Sequence, residues 1–246
     1  MLTCRNFYDH VSGYYEKMID YEKNLQLRID AYKNIFPING KVADIGCGTG
    51  LDSVALARNG HTVTAFDISP NMISELKKKA IKENLQIKAY VNSFKTISQK
   101  YNYSFDYVVS VGNTIAHLRQ SELKKSFLRM HNLLKPGGKL FLHILNYEKI
   151  IMGSKRINNI AYRDGLTIIR FYDFLKSYLN FNILSFCDET PKEYSLVTTK
   201  HFPHSINTIK NCAKYGRFRK INFYSTFGLD KFNQNESKDI FILLKK

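Results

Sequence analysis

Apolar and polar positions along the chain change their rhythm three times, and each change marks a different kind of structure. A short β-prone run at 42–45 leads directly into Gly46, Gly48 and Gly50, and a helix-like segment at 51–59 follows at once. This predicts a strand, a tight glycine turn and a helix N-terminus. The alternation then repeats. A strand is expected at 61–66. Ser69-Pro70 next opens a helix, with a cap and a proline at its first position, that runs through Met72, Ile73, Leu76 and Ala80. Further strands are expected at 86–91 and 105–111, an amphipathic helix at 121–134, and a Pro-Gly-Gly turn leading into a fifth strand that exits at Asn146-Tyr147. Ahead of this block, Leu25, Ile29, Tyr32 and Phe36 recur at helical spacing, so residues 6–36 read as a helical preface ended by Pro37. Behind it, 166–174, 178–186 and 194–201 are β-branched and aromatic runs broken by Gly165, Asn180 and Pro191, the pattern of successive antiparallel strands. A helix capped by Ser205 and two strands at 218–224 and 239–244 close the chain.

These elements predict an α/β fold: a Rossmann-like, doubly wound sheet with an antiparallel β lid inserted between the fifth strand and the last helix. The expected organisation is a helical segment over 1–40, a main domain over 41–147 and 202–246, and an inserted lid over 148–201.

The glycine turn identifies the chemistry. Glycines let a ligand approach bare backbone N–H groups, and Asp67, at the end of the second strand, is placed to accept hydrogen bonds from both ribose hydroxyls of a nucleoside. The turn is G-x-G-x-G where a dinucleotide site needs G-x-G-x-x-G, and Asp44 ahead of it would repel a pyrophosphate. No G-x-x-x-x-G-K-[ST] phosphate loop occurs. An acid at position 44 suits a cationic ligand.

The run VADIGCGTG, followed by an acid at the end of the second strand, resembles the S-adenosylmethionine site of class I methyltransferases, whose core is a seven-stranded sheet. The resemblance implies S-adenosyl-L-methionine as cofactor, S-adenosylhomocysteine as product, and no metal. It implies a cofactor site made by Asp44 at the methionine ammonium, the turn Gly46, Cys47, Gly48, Thr49 and Gly50, Asp67 at the ribose, Ile68 at the adenine face, and Met72. Asn92, where many relatives carry Asp, would accept from the adenine amino group with Ser93 and Phe94 beside it. Val111 and Gly112 complete the set. The segment GNTIAHL is similar to the GNS-x-x-HL signature of glycine and sarcosine N-methyltransferases, and the N/D-P-P-Y/F tetrapeptide of enzymes that methylate nitrogens in polymers is absent. By this likeness Asn113 and His117 would line the acceptor pocket, and Asn146-Tyr147 matches the pair at the exit of the fifth strand. In such methyltransferases the N-terminal segment folds over the cofactor, which makes Tyr15 a candidate hydroxyl reaching the active site, and Arg170 in the lid is a candidate clamp for a substrate carboxylate. The implied function is methyl transfer to a small molecule at an amine nitrogen, glycine- or sarcosine-like.

Charge adds one competing reading. The chain has 37 Lys and Arg against 21 Asp and Glu, a net +16. Such a charge attracts nucleic acid, so an RNA methyltransferase is the alternative function. The lysines are scattered as well as clustered, which fits general composition bias better than a binding stripe. Cys4, Cys47, Cys187 and Cys212 form no C-x-x-C pair, so a reduced, cytoplasmic protein is expected, with Cys47 a packing residue of the turn. No apolar run approaches the ~20 residues of a membrane span. Monomer and homodimer are both compatible with a lid of this kind.

Overall fold

A computed structural model describes all 246 residues. Three helices precede the first strand: α1 (Cys4–Val11), α2 (Tyr15–Ile19) and α3 (Tyr21–Ile35). The expected single helical preface is broken because Gly13 interrupts it and Asp20 adopts a left-handed backbone, φ 53°, between α2 and α3. The stripe Leu25, Ile29 and Tyr32 is buried on α3 as its spacing requires.

Then come β1 (Lys41–Ile45), α4 (Leu51–Arg58), β2 (Thr62–Asp67), α5 (Pro70–Lys82), β3 (Ile87–Val91), β4 (Phe105–Ser110), α6 (Gln120–Leu133) and β5 (Leu134–Leu145). The Ser69 hydroxyl accepts from the Met72 N–H with Pro70 at the first turn, which starts α5 where the sequence predicts. The expected Pro-Gly-Gly turn is not a separate turn. Pro136, Gly137 and Gly138 lie within β5, and a register shift against β4 absorbs the left-handed Gly137.

After β5 the short α7 (Tyr147–Met152), absent from the sequence expectation, leads into β6 (Ile157–Arg163), β7 (Leu166–Phe174), β8 (Leu179–Cys187) and β9 (Tyr194–His201). The lid therefore has four strands, not three. β6 lacks a repeating apolar face, with Asn158 and Asn159 at its start, and so escapes pattern reading. The chain ends with α8 (Ile206–Tyr215), β10 (Lys220–Tyr224) and β11 (Asp239–Lys245).

The main sheet has seven strands in the order β10-β11-β5-β4-β1-β2-β3. β1 pairs parallel with both β2 and β4, and β10 and β11 run antiparallel at one edge. The chain reverses its winding at β1, and in open α/β sheets the crevice at the carboxyl ends of the strands beside that reversal is where ligands bind. The lid is a separate antiparallel sheet, β6-β7-β8-β9. Its inner face buries Ile168, Tyr172, Phe181, Ile183 and Val197 in the core that also holds α6, α8 and β5. A second core, with Leu25, Tyr32, Val54 and Leu56, fills the opposite face of the main sheet under α3 and α4. No helix is long and apolar enough to cross a membrane.

Candidate active site

The cleft opens at the carboxyl end of β1 and encloses about 800 Å3 between the main sheet, the N-terminal helices and the lid. The glycine turn forms its floor. Gly46 and Gly50 sit at φ 76° and 98°, and a Cβ on them would come within 2.3 Å of Thr114 Cγ2 and Leu76 Cδ1. Only glycine fits either place. At Gly48, by contrast, a Cβ would meet only the Tyr15 ring at 3.6 Å, so that side of the turn is left bare toward the cleft.

Asp67 ends β2 beside this turn. Its Oδ2 accepts from the Gly48 N–H and its Oδ1 from the Ser69 N–H, both at 2.9 Å. Burial raises its pKa, and the N–H groups of Ser69 and Gly48 oppose the rise. Each oxygen keeps acceptor capacity for a hydroxyl from the cleft. Asp44 lies one layer deeper and does not reach the cleft surface. Ser53 donates to its Oδ2 at 2.6 Å while Oδ1 has no partner, and burial followed by the charge of Asp52 pushes its pKa well up. Asp52, on the cleft wall, accepts from the Tyr32 hydroxyl at 2.8 Å and pairs with Arg28 at 3.0 Å. The guanidinium of Arg28 in turn lies 3.4 Å over the Phe227 ring.

Cys47, Thr49, Ile68, Asn92, Ser93, Phe94, Val111 and Gly112 all line the cleft, whereas Gly50 and Met72 pack behind it. The Asn92 amide nitrogen is spent on Thr96, which leaves its Oδ1 as a free acceptor. Burial raises the Cys47 thiol well above its usual range, so it stays protonated and no nucleophile. The fully buried Thr49 hydroxyl has no partner within the protein.

Tyr15, His117 and Arg170 reach the other wall. His117 sits in a short 3-10 turn, Thr114–His117, with its Nε2 2.9 Å from the Tyr8 hydroxyl. Burial lowers its pKa to about 4, against a smaller opposing effect of the Lys200 carbonyl, so the ring is neutral at pH 7. Its edge meets the His201 ring with centroids 4.6 Å apart. Arg170 projects from β7 into the cleft, mostly buried, with Tyr15 and Tyr172 beside it and no carboxylate in ion-pair range. Its Nε has no partner. Burial pushes the Tyr15 phenol up to about 12, so it stays neutral.

Three residues expected in the pocket are turned to other work. Asn113 donates from Nδ2 to the Tyr147 hydroxyl at 2.8 Å and accepts at Oδ1 from the Leu145 N–H at 3.1 Å, and it lies outside the lining of the cleft. Tyr147 is buried behind the wall, 3.0 Å from His201 Nδ1. Asn146 caps α7 and donates to the carbonyls of Gln234 and Ser237. These residues brace the strand ends that hold the cleft open.

Sequence reasoning missed Tyr8, Arg28, Asp52, His201 and β6. Tyr8 and Tyr15 share a tyrosine-rich stretch seven positions apart, a signal that was available. Nothing local marks the others.

Sheet order and the place of the cleft and glycine turn match the class I S-adenosylmethionine-dependent methyltransferase fold, and residues 42–138 match the family model described as "Methyltransferase domain". Among curated proteins the chain is similar to the glycine/sarcosine N-methyltransferase of Parasynechococcus marenigrum (strain WH8102), 24% identical over 58% of this chain and 52% of that one. It is also similar to the ubiquinone biosynthesis O-methyltransferase of Xanthomonas axonopodis pv. citri, 34% identical over 45% of each. The chain spans about half the length of the curated relatives it matches. In fold it follows an S-adenosylmethionine-dependent methyltransferase from Clostridium acetobutylicum ATCC 824, with TM-score 0.78 and 20% identity over 97% of this chain and 98% of that one.

S-adenosyl-L-methionine is the cofactor of this class, and the residues present fit it. The partnerless Thr49 hydroxyl, the bare Gly48 face and the available acceptors on Asp67 give the cleft polar groups that suit a nucleoside, and the partnerless Asp44 Oδ1 lies one layer beneath the turn.

Proposed function

We propose that this protein methylates a small molecule at an amine nitrogen, the acceptor carrying a carboxylate as glycine and sarcosine do. One observation carries the reading: Arg170 is a mostly buried cation facing the cleft without an acidic partner. A guanidinium in that state is costly unless an anion joins it, and a carboxylate matches its two-pronged geometry.

Asp67 would hold the ribose hydroxyls, the face of Phe94 and Ile68 the base, Asn92 the exocyclic amine, and Asp44 the cationic end through the bare turn. The cofactor supplies an electrophilic methyl group on a sulfonium, already a good leaving group. The chain's own residues then have two tasks, positioning and exclusion of water. Arg170 orients the carboxylate and repels an ammonium, which favours the free amine in the cleft. Neutral His117 and the Tyr8 and Tyr15 hydroxyls offer acceptors to the amine N–H without competing for the nitrogen lone pair. With its pKa near 4, His117 is too weak a base to take the ammonium proton, so the amine sheds it to water on entry.

The test is S-adenosylhomocysteine release with glycine, sarcosine, dimethylglycine, other small amines, a catechol and total RNA, at low and moderate salt. Salt-insensitive turnover of a carboxylate-bearing amine is expected. Activity confined to RNA and collapsing as salt rises would move the function to the basic surface; activity confined to the catechol would move it to an oxygen acceptor.

A further inference from the structure

The chain's net charge of +16 gathers at one end of the main sheet. Strand registers place Lys139 of β5 opposite Lys245 of β11, and Lys245 opposite Lys220 of β10. Residues directly opposite one another project from the same face, so three ammonium groups stand in one row across three adjacent strands. Phe141 and Phe241, further along the same face of β5 and β11, belong to the core beneath α3 and α4, and the row lies where that core ends. Lys220 and Lys245 are exposed and Lys139 is half-buried. Like charges in direct register repel, and none of the three forms an ion pair that would offset the repulsion.

Further cations join this end. The Arg219 N–H donates to the Lys245 carbonyl at 3.0 Å, and Arg217, with φ 64°, turns the chain two residues earlier. Both arginines are exposed and neither has a carboxylate partner. Burial first, then the charges of Lys246 and Arg217, lower the pKa of His131 near the end of α6, so cations crowd that corner as well. The hairpin is polarised along its length. Asp239 opens β11 opposite Leu145, at the strand end that braces the cleft, whereas Lys245 closes it opposite Lys139, about 20 Å away along β5.

We propose that this lysine row is a docking surface for the phosphate backbone of a nucleic acid, remote from the cleft. Each nucleic-acid strand carries one charge per ~3.4 Å, and cations spaced ~4.8 Å across neighbouring strands, flanked by Arg219 and Arg217, complement such a repeat. An anionic bilayer fits less well. Stable attachment to a membrane adds buried apolar groups to a basic patch, and the exposed aliphatic side chain beside the row is Ile38 alone, whose carbonyl accepts from Tyr107 in register with Lys139. Tyr103 and Tyr215, the exposed aromatic residues of this end, already lie beneath Lys246 and Lys124. The distance from the cleft makes the nucleic acid a tether for the enzyme and not its methyl acceptor.

Fluorescence anisotropy of a labelled oligouridine RNA with the full chain, titrated from ~50 to ~300 mM NaCl, tests this. The wild type should bind with a Kd on the order of 1–100 µM and weaken steeply as salt rises. The triple variant Lys139→Gln/Lys220→Gln/Lys245→Gln should lose at least ~10-fold in affinity at low salt, and its log–log salt slope should fall by about two, near 0.7 for each lost phosphate contact. Its S-adenosylhomocysteine affinity should be unchanged and its Tm unchanged or raised, because the like charges in register are gone. Should the triple variant fold poorly, Lys220→Gln alone, on the edge strand, should lower the slope by about 0.7. Lys23→Gln/Lys77→Gln/Lys82→Gln removes the same charge from exposed, unpaired positions of α3 and α5 and should bind within twofold of the wild type. Absence of binding at ~50 mM NaCl, or equal losses in the two triple variants, overturns the proposal. RNA binding weakened as much by Arg170→Ala as by the row variant would put the RNA in the cleft and overturn it too. Co-sedimentation of the wild type, but not the row variant, with phosphatidylcholine–phosphatidylserine vesicles in the absence of RNA binding would assign the row to lipid and overturn it equally.

Discussion

On the glycine-turn side of the cleft, the facing groups come from one βαβαβ stretch, from Gly46 to Phe94, each fixed by its nearest neighbours in sequence. On the lid side Tyr8, His117 and Arg170 come from α1, a 3-10 turn and β7, with His201 of β9 packed behind His117, and the Tyr8–His117 contact alone joins positions 109 apart. The first wall is a local device, a turn and an acid at strand ends, which any chain folding this way presents. The second is set by tertiary packing and so is free to vary between relatives that share the first. A glycine/sarcosine N-methyltransferase and a ubiquinone biosynthesis O-methyltransferase both resemble this chain over about half their length.

Substitutions that separate the two walls test this division. The largest effect is expected from Asp67→Ala, which removes the acceptor at the end of β2. Two hydrogen bonds to a charged group are worth roughly 1.5–3 kcal/mol each, so S-adenosylhomocysteine affinity by calorimetry should fall at least ~100-fold. A loss under tenfold would place the ribose elsewhere. Next is pH. His117 is held neutral, its folded pKa about 4 lying below the unfolded value near 6.5, so its contribution is complete above pH ~6.5 and is lost as pH falls through about 4. About 3 kcal/mol should vanish over that window in denaturant titrations, and His117→Gln should flatten the curve. His201, lowered further by the same burial and by His117, adds in the same direction.

Arg170→Ala should raise KM for a carboxylate-bearing amine ~30-fold, about 2 kcal/mol, and leave cofactor affinity within a factor of two. Equal losses in both would show the walls to be one unit. The smallest effect carries opposite signs in two assays. Asp44→Asn removes a buried carboxylate whose Oδ1 is unpaired, so the ligand-free protein should gain about 1–2 kcal/mol in thermal unfolding while cofactor affinity drops ~10-fold. A simultaneous loss of both would mean that Asp44 is satisfied without ligand.

The same division explains what was readable beforehand. The glycine turn, Asp67, the Ser69-Pro70 helix start and the seven-strand core follow from spacing and turn chemistry that act within a few residues. Arg170 was legible as a candidate on a strand, and its burial came only from the packing of Tyr15 and Tyr172 against it. Asn113 shows the limit from the other side: its place at the end of β4 was right, yet whether its amide faces a ligand or Tyr147 depends on α7 and β9, which no residue near position 113 encodes.

The pairing of His117 with His201 also sets an order in time. A nascent chain emerging from the ribosome has β1 through β5 once Leu145 is out, enough to assemble the parallel strands around the glycine turn, whereas the second histidine arrives only with the end of β9. For that interval the lid side of the cleft does not exist, and Ile115, Leu142 and Ile144, buried in the finished core, face water. The contacts that complete the cleft are thus among the longest in sequence, and loop-closure entropy makes such contacts slow to form.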